Sequence, residues 1–371
     1  VKRCRFVLIL LVALSAPACT SSSLKNLRIV SFASFDRIDK SQLKGTIAIR
    51  SLYGATENKT ETNEFYDSQG SSIGEIFQKV EQQVPDHLGF AKLNVLVFGD
   101  RTVKQVKLED LLEFAYRVAK NPSASKVVIA RGNATDFYRV ATLSGNMAGR
   151  SLLHTVQSAE KSLVIPKTNI NNLFPLLHDE GHDLTLPYME WNAEEKKARI
   201  LGTALFHANM FTGRFVPEHQ APLLMMMLKQ HSKRFYFTRN LFISGKIDSV
   251  TVNVRKYTTR KRLTVGSDGT LKVSVRMKME GSIVAYSSNN IKNPTQFKDS
   301  VERKMTEALT EDCKEIVNLL RTSNCDALGI GRDLMAFHPA LWKKLKARPV
   351  MQQVDITPSV QFRIMSEGIK K

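Results

Sequence analysis

His178-Asp179-Glu180-Gly181-His182, followed closely by Asp183, sets two histidines four residues apart among three acids. Those are side-chain types that ligate metals, and a four-residue spacing puts both rings on one face of a helix. Gly181 lowers helicity between them and no third ligand stands near, so the segment reads as a polar loop. Met225-Met226-Met227 offers three soft sulfurs, but an unbroken methionine run inside an apolar helix reads as core filling rather than a copper or ligand site. Gly329-Ile330-Gly331 lacks the third glycine of a dinucleotide fingerprint and follows a helical pattern instead of a strand. No phosphate-cradling glycine loop ending in Lys-Ser/Thr occurs, and no Gly-x-Ser-x-Gly elbow. Neither paired carboxylates nor a Cys/His set stands out. The chain is read as no enzyme and as having no cofactor and no metal. A cell-wall hydrolase, which needs one of those sets, is a third reading that only activity on peptidoglycan would revive.

Cysteine chemistry points to the N-terminus instead. Lys2, Arg3 and Arg5 precede the apolar run Phe6 to Leu14, which spans only about 14 Å as a helix against a bilayer core of roughly 30 Å. Small residues follow, Ser15-Ala16-Pro17-Ala18, and then Cys19. Charge, length and flank make residues 1–18 a secretory signal. Cleavage before Cys19 fits two fates: lipidation of Cys19, or an ordinary small-x-small signal cut. Ala16 stands where a lipobox usually carries leucine. Lipidation is the reading taken, because the polar Thr20-Ser21-Ser22-Ser23 suits a tether over residues 19–24, and several acyl chains hold a protein where one does not. Cys313 and Cys325 lie twelve residues apart in and just past a helical pattern, about 18 Å if the helix continues, so they are read as free thiols.

A net charge of +19 over 371 residues remains strongly basic after the signal is removed. Such an excess attracts nucleic acid, anionic headgroups or anionic wall polymers. Export removes nucleic acid as a partner. Arg255, Lys256, Arg260, Lys261 and Arg262 form the densest basic cluster, a candidate contact for an anionic surface set against a merely solvated strand face. A hydrophobic content of 43% supports a sizeable core in two or three domains.

The elements that must position these residues are an α+β mixture of small sheets packed with helices. Strands are expected at Leu27–Phe32, Thr46–Arg50, Leu93–Gly99 and Lys126–Ala130, and helices from Ser71, over Leu108–Val118 and over Ala134–Leu143. Polar residues 55–62 read as a loop, with Asn58-Lys59-Thr60 a formal glycosylation sequon in it. Ser151 to Trp191, broken by Pro166, Pro175 and Pro187, reads as a connecting segment with short helices. Strands resume at Arg199–Phe206 and Met210–Phe215, and Pro217 opens a helix through Leu223, Leu224, Met227 and Leu228. Phe235–Phe242, Ser249–Lys256 and Leu271–Glu280 suggest an antiparallel sheet, with a turn at Ser267-Asp268-Gly269. Phe297, Val301, Met305, Leu309, Ile316 and Leu320 trace one face of a helix of about 37 Å, and Pro294 suits its entry. Gly329 and Gly331 permit tight or left-handed backbone past its end. Val354 to Ile364 alternates as a half-buried strand, with Pro358 requiring an edge or bulge. The expected division is an N-terminal α/β domain over 25–195 and a C-terminal region over 196–371. The latter is split into a small middle domain, 196–245, and a sheet with a long amphipathic helix against it, 246–371.

The order of these pieces resembles the Ger(x)C family, the lipoprotein C subunits of bacterial spore germinant receptors. Asn324-Cys325-Asp326-Ala327-Leu328-Gly329-Ile330-Gly331 is similar to the family's Asp-aliphatic-Gly-x-Gly segment after a long helix, and His338-Pro339-Ala340-Leu341-Trp342 to its Pro-x-x-Trp. The closing strand before Ser366-Glu367-Gly368 also fits. Gly202-Thr203-Ala204-Leu205-Phe206 with Gly213 is similar to the start of the family's C-terminal region; Leu93–Gly99, Leu108–Arg117 and Val127–Gly132 resemble its N-terminal region. Two places depart from the family pattern: Thr20-Ser21 replaces the Trp-Asp common after the lipidated cysteine, and Lys346 to Gln353 lacks the usual second tryptophan. The resemblance implies a three-domain, non-catalytic lipoprotein on the outer face of the spore inner membrane. There it would act with a membrane A subunit and a transporter-like B subunit in nutrient-triggered germination. Asp326, Gly329, Gly331, Pro339 and Trp342 are its structural signature here. A stand-alone solute-binding lipoprotein is the alternative.

Overall fold

Val95–Gly99 opens with an unbroken run of four apolar residues, and every residue of that strand is buried. Such a strand needs a covered sheet on both sides. The computed structural model describes residues 27–53, 60–117, 122–140, 148–232, 235–243, 245–267, 269–287 and 293–366. The signal, Cys19 and its tether, Asn58, Asp268 and Gly368 lie outside the described residues. The first sheet is built from β1 (Leu27–Arg37), β2 (Leu43–Tyr53), β3 (Thr60–Gly70), β4 (His87–Gly89), β5 (Val95–Gly99), β6 (Lys126–Arg131), β7 (Thr185–Asn192), β8 (Lys197–His207) and β9 (Met210–Pro217). Its order is β3-β2-β1-β5-β6-β7-β8-β9, with β4 beside β1. The central β1, β5, β6 and β7 run parallel, flanked by antiparallel hairpins on either side.

Helices cover both faces of this sheet. One core gathers Phe35, Leu96 and Phe98 under α1 (Ile73–Glu81), α2 (Leu108–Arg117) and α4 (Ile170–Leu177). The opposite core gathers Phe32, Val95 and Val97 under the 3-10 turn Ala134–Tyr138 and α3 (Ala148–Lys161). Adjacent residues of β5 thus serve opposite cores, as the pleat dictates.

The second sheet is different. β10 (Phe235–Ile243), β11 (Lys246–Val265), β12 (Leu271–Tyr286) and β13 (Val354–Ser366) lie in that order. β10, β11 and β12 form the antiparallel meander that the sequence suggests, but β13 joins β12 in parallel. The chain reaches β13 through α6 (Pro294–Thr322), a crossover of the kind parallel strands require. Asn293 caps α6, accepting the Gln296 N–H at 3.1 Å, and Pro294 opens it. Its buried stripe runs from Phe297 to Leu320 and includes Cys313. Cys313 and Cys325 are both free and buried. Pro358 sits on the edge strand opposite Val275. On that edge, N–H groups of Val360, Phe362 and Ile364 donate to Thr310 Oγ1, Thr306 Oγ1 and Glu302 Oε1 at 3.2, 3.1 and 2.6 Å. One turn-spaced row of α6 therefore satisfies the edge, and Pro358, lacking an N–H, leaves nothing unpaired in the same row.

The pairing also redraws the expected divisions. Residue 195 falls inside the β7–β8 hairpin, so β8 and β9 complete the first sheet and are no part of a separate middle domain over 196–245. β10 belongs to the second sheet by its pairing with β11. Between the sheets lies α5 (Ala221–Met227), whose three methionines are all buried in the core that packs on the second sheet. Polar Thr60–Gly70, expected as a loop at its start, is an edge strand along β2. Thr185–Asn192, expected within a connecting segment, is an internal strand.

Candidate functional site

The seam where the two sheets meet is built on the chain just past α6. Ser323 caps that helix and Asn324, at φ +53°, takes the left-handed position, letting the Cys325 N–H reach the Leu320 carbonyl at 2.9 Å. The sequence reading gives that task to Gly329 and Gly331; both act further on. Gly329, at φ +64°, is the residue before α7 (Ile330–Phe337), a conformation that favours glycine. It brings no side-chain cap, and Asp326 supplies one from three residues upstream. The Asp326 carboxylate accepts the Ile330 N–H at 2.9 Å and the Gly331 N–H at 2.7 Å. Gly331 is needed for closeness: a Cβ there would sit 2.9 Å from Gly181 Cα and 3.0 Å from the Trp342 ring. Pro339 opens α8 (Pro339–Leu345), which carries Trp342 over Gly331.

The loop with the two histidines docks on this corner. Asp183 and Asp326 exchange backbone contacts in both directions. The Asp183 N–H donates to the Asp326 carbonyl at 3.1 Å, and the Asp326 N–H donates to Asp183 Oδ2 at 2.8 Å. Asp183 Oδ1 also accepts the Ala208 N–H at 3.0 Å, and Oδ2 lies 3.1 Å from His207 Nδ1. Arg332 gives its N–H to the Gly181 carbonyl at 2.9 Å and its guanidinium to Asp179 at 2.7 Å. His182 packs on Gly329, with Nδ1 buried and unpaired among the described residues. His178 turns away to Glu109, 3.1 Å distant. The two histidines therefore do not converge, and no set of three His, Cys, Asp or Glu is placed to share a metal ion among the described residues.

Burial sets the electrostatics. The Asp326 carboxyl is pushed up to about 7, chiefly by burial and further by Asp183, against the two N–H donors and Lys261, which hold it lower. His207 is raised by its bond to Asp183, and His182 is lowered by burial and then by Arg332. The Cys325 thiol is pushed well up by complete burial, which leaves it inert as a nucleophile. Two clefts flank the seam. One, of about 630 Å³, is lined by His182, Asp183, His207, Asp326, Trp342 and Lys346 among others. The other, of about 550 Å³, is lined by residues that include Lys167, His182, Lys261, Gly329 and Asp333.

Lys261 corrects the basic cluster. Its ammonium reaches Asp333 at 2.7 Å and the carbonyls of Leu328 and Gly329, with only 16% of the side chain exposed. It is a strut under the signature turn, whereas Arg255, Lys256, Arg260 and Arg262 are exposed. Sequence reasoning singled out Asp179 and Asp183 only as metal-ligand types and missed their partners Arg332, His207 and Asp326, which lie far away along the chain. Chemically, the seam's carboxylates and cations bind each other and the backbone. This arrangement fixes two sheets in one register; it presents no nucleophile beside a base.

Comparison with known proteins divides the chain across the β7–β8 hairpin, where the first sheet itself is continuous. Residues 21–191 match the family described as spore germination protein N-terminal domain, and residues 201–368 match spore germination B3/GerAC like, C-terminal. Spore germination protein GerQC of Bacillus cereus is 21% identical over 385 aligned residues, covering 98% of this chain and 99% of its own. Spore germination protein KC of Bacillus subtilis (strain 168) is also 21% identical, covering 93% and 90%. The crystal structure of the GerBC protein superposes with a TM-score of 0.55 at 15% identity, covering 90% of this chain and 97% of that one, which shows a shared fold.

Proposed function

The chain belongs to the GerAC spore germination family, and from that premise we propose that it is the non-catalytic lipoprotein subunit of a spore germinant receptor. It is held by acylated Cys19 at the outer face of the spore inner membrane. There it assembles with a membrane A subunit and a transporter-like B subunit and is required for germination on nutrients. The observation that carries this reading is the match of both family models, in order, across nearly all of one chain. The seam supports it, because its polar groups are spent on joining two sheets. No helix among the described residues is long and apolar enough to cross a membrane, so in this reading Cys19 supplies the attachment.

Cys19→Ala tests it. The expected result is loss of the protein from spore membrane fractions and impaired nutrient-triggered germination. Membrane retention with normal germination overturns the anchor. A second reading, a lipoprotein that captures a small nutrient by itself, draws on the two seam clefts, whose volumes fall in the range of small-ligand sites, roughly 300–1,000 Å³. Calorimetry of the purified chain against amino acids, sugars and nucleosides separates them, since the receptor-subunit reading expects no appreciable heat.

A further inference from the structure

The two sheets differ in how they are covered. Separate cores lie on either side of the first sheet, but among the described residues the second sheet has a hydrophobic core on one face. Its strands alternate accordingly: in β12, Leu271, Val273, Val275, Met277 and Met279 are buried, while Lys272, Arg276 and Lys278 are exposed. The open face is basic by register. Arg260 lies directly opposite Arg276, and Arg262 and Lys278 are the next outward residues on the two strands. Lys256 and Arg363 flank Glu280, and Lys272 lies beside Asp355. Like charges directly opposite each other destabilise a sheet, so this face carries a cost that folding alone does not require.

The other end of the same face is apolar. Phe242 and Ile247 face each other beside the β10–β11 turn, 62% and 70% exposed. Tyr236 is exposed on that face, and the bulge residues Val284 and Met365 are exposed on β12 and β13 toward the same end. We infer that the open face of the second sheet docks on an anionic phospholipid bilayer, the cations against headgroups and the Phe242–Ile247 end in the interfacial layer. A sheet face with a cationic field and an apolar lip matches that surface in both charge and polarity. The inference rests on the membrane-subunit reading for its setting and adds which face turns to the bilayer.

Vesicle flotation of the full chain carrying Cys19→Ala tests it without an acyl chain. The N-terminal segment is the same in every arm. Phosphatidylcholine vesicles with one third phosphatidylglycerol are expected to bind the protein, more weakly as salt rises, and pure phosphatidylcholine far less. Arg260→Ser, Arg276→Ser and Lys278→Ser together should weaken binding about 100-fold, at roughly fivefold per cation near the surface. That variant should melt no lower than the parent, because it relieves the Arg260–Arg276 repulsion. Phe242→Ser with Ile247→Ser should weaken binding separately while preserving its salt dependence. Equal binding by the cation variant, equal binding to both vesicle types, or binding to neither overturns the proposal; the last outcome leaves an acidic protein surface as the occupant. These results are independent of the anchor: retention of Cys19→Ala in spores bears on lipidation, and the difference between each variant and its parent on the same vesicles bears on this face.

Discussion

Removing the charge of Asp326 should change how stability depends on pH. An ordinary aspartate titrates near 3.8, whereas burial holds Asp326 at about 7 in the fold. Between those values the folded chain keeps a proton that the unfolded chain has lost. Stability contributed by this group is therefore full below about pH 4 and is lost as pH rises toward 7, at most about 1.4 kcal/mol per pH unit. From pH 5 to pH 8 the loss comes to about 2–3 kcal/mol. Asp326→Asn is neutral throughout and keeps one oxygen for the Ile330 or Gly331 N–H, so it carries a constant deficit and no slope from this site. His207 remains in both proteins, raised first by its bond to Asp183 and only last by the charge of Asp326, so most of its contribution is common to the two. Urea unfolding from pH 5 to 8, read by tryptophan fluorescence with Trp342 at the seam, should show the parent falling by about 2–3 kcal/mol relative to Asp326→Asn. Parallel curves would refute the reasoning. They would mean that the two N–H donors and Lys261 outweigh burial and keep the carboxylate ionised throughout.

Two further substitutions probe the same corner. Gly331→Ala should destabilise by about 1–2 kcal/mol, because overpacking against the Gly181 backbone costs about 1–3 kcal/mol and exceeds the alanine's gain in helix propensity; a melting temperature equal to or above the parent's would show that the seam can open freely. Trp342→Ala should cost roughly 3–5 kcal/mol, as for a buried aromatic removed from a core, and an unchanged melting curve would make Trp342 a partner-facing residue instead.

What was legible in the chain depended on whether the determining contacts were local. Helix α6 could be read from Phe297 to Leu320 because its apolar stripe is a property of consecutive turns, and β5 because four apolar residues run together before Gly99. Strand β3 was not legible. Thr60–Gly70 carries no sustained apolar alternation, and its strand form comes from pairing along β2 at the sheet edge. Strand β7 was hidden by Pro187, which the fold tolerates because pairing with β6 begins only at Tyr188. The parallel placement of β13 depends on the route of α6, which alternation within β13 cannot encode. At the seam, Gly329 and Gly331 drew notice for their backbone freedom, but what fixes Gly331 is Gly181, 150 positions earlier in the numbering. Lys261 looked like one more member of a basic run, since its partner Asp333 lies on an element that meets β11 only in three dimensions.

The polar character of the seam follows from the same geometry. An apolar joint between two sheets would bury surface at least as favourably, but it would tolerate sliding, since one methyl contact resembles the next. Here Asp326 holds two N–H groups of α7, while its own N–H and carbonyl are answered by Asp183 in the loop before β7. Gly181 meets Gly331 at a distance no side chain would allow. A shift of one residue along either segment would put a side chain into that contact and leave buried donors unpaired, each at about 1–3 kcal/mol. The cost of burying a carboxylate is thus tied to one register of the two sheets. The pH dependence expected for Asp326 is the measurable trace of that cost: a joint chosen for uniqueness over strength should weaken as its buried acid ionises, whereas a purely apolar one would not respond.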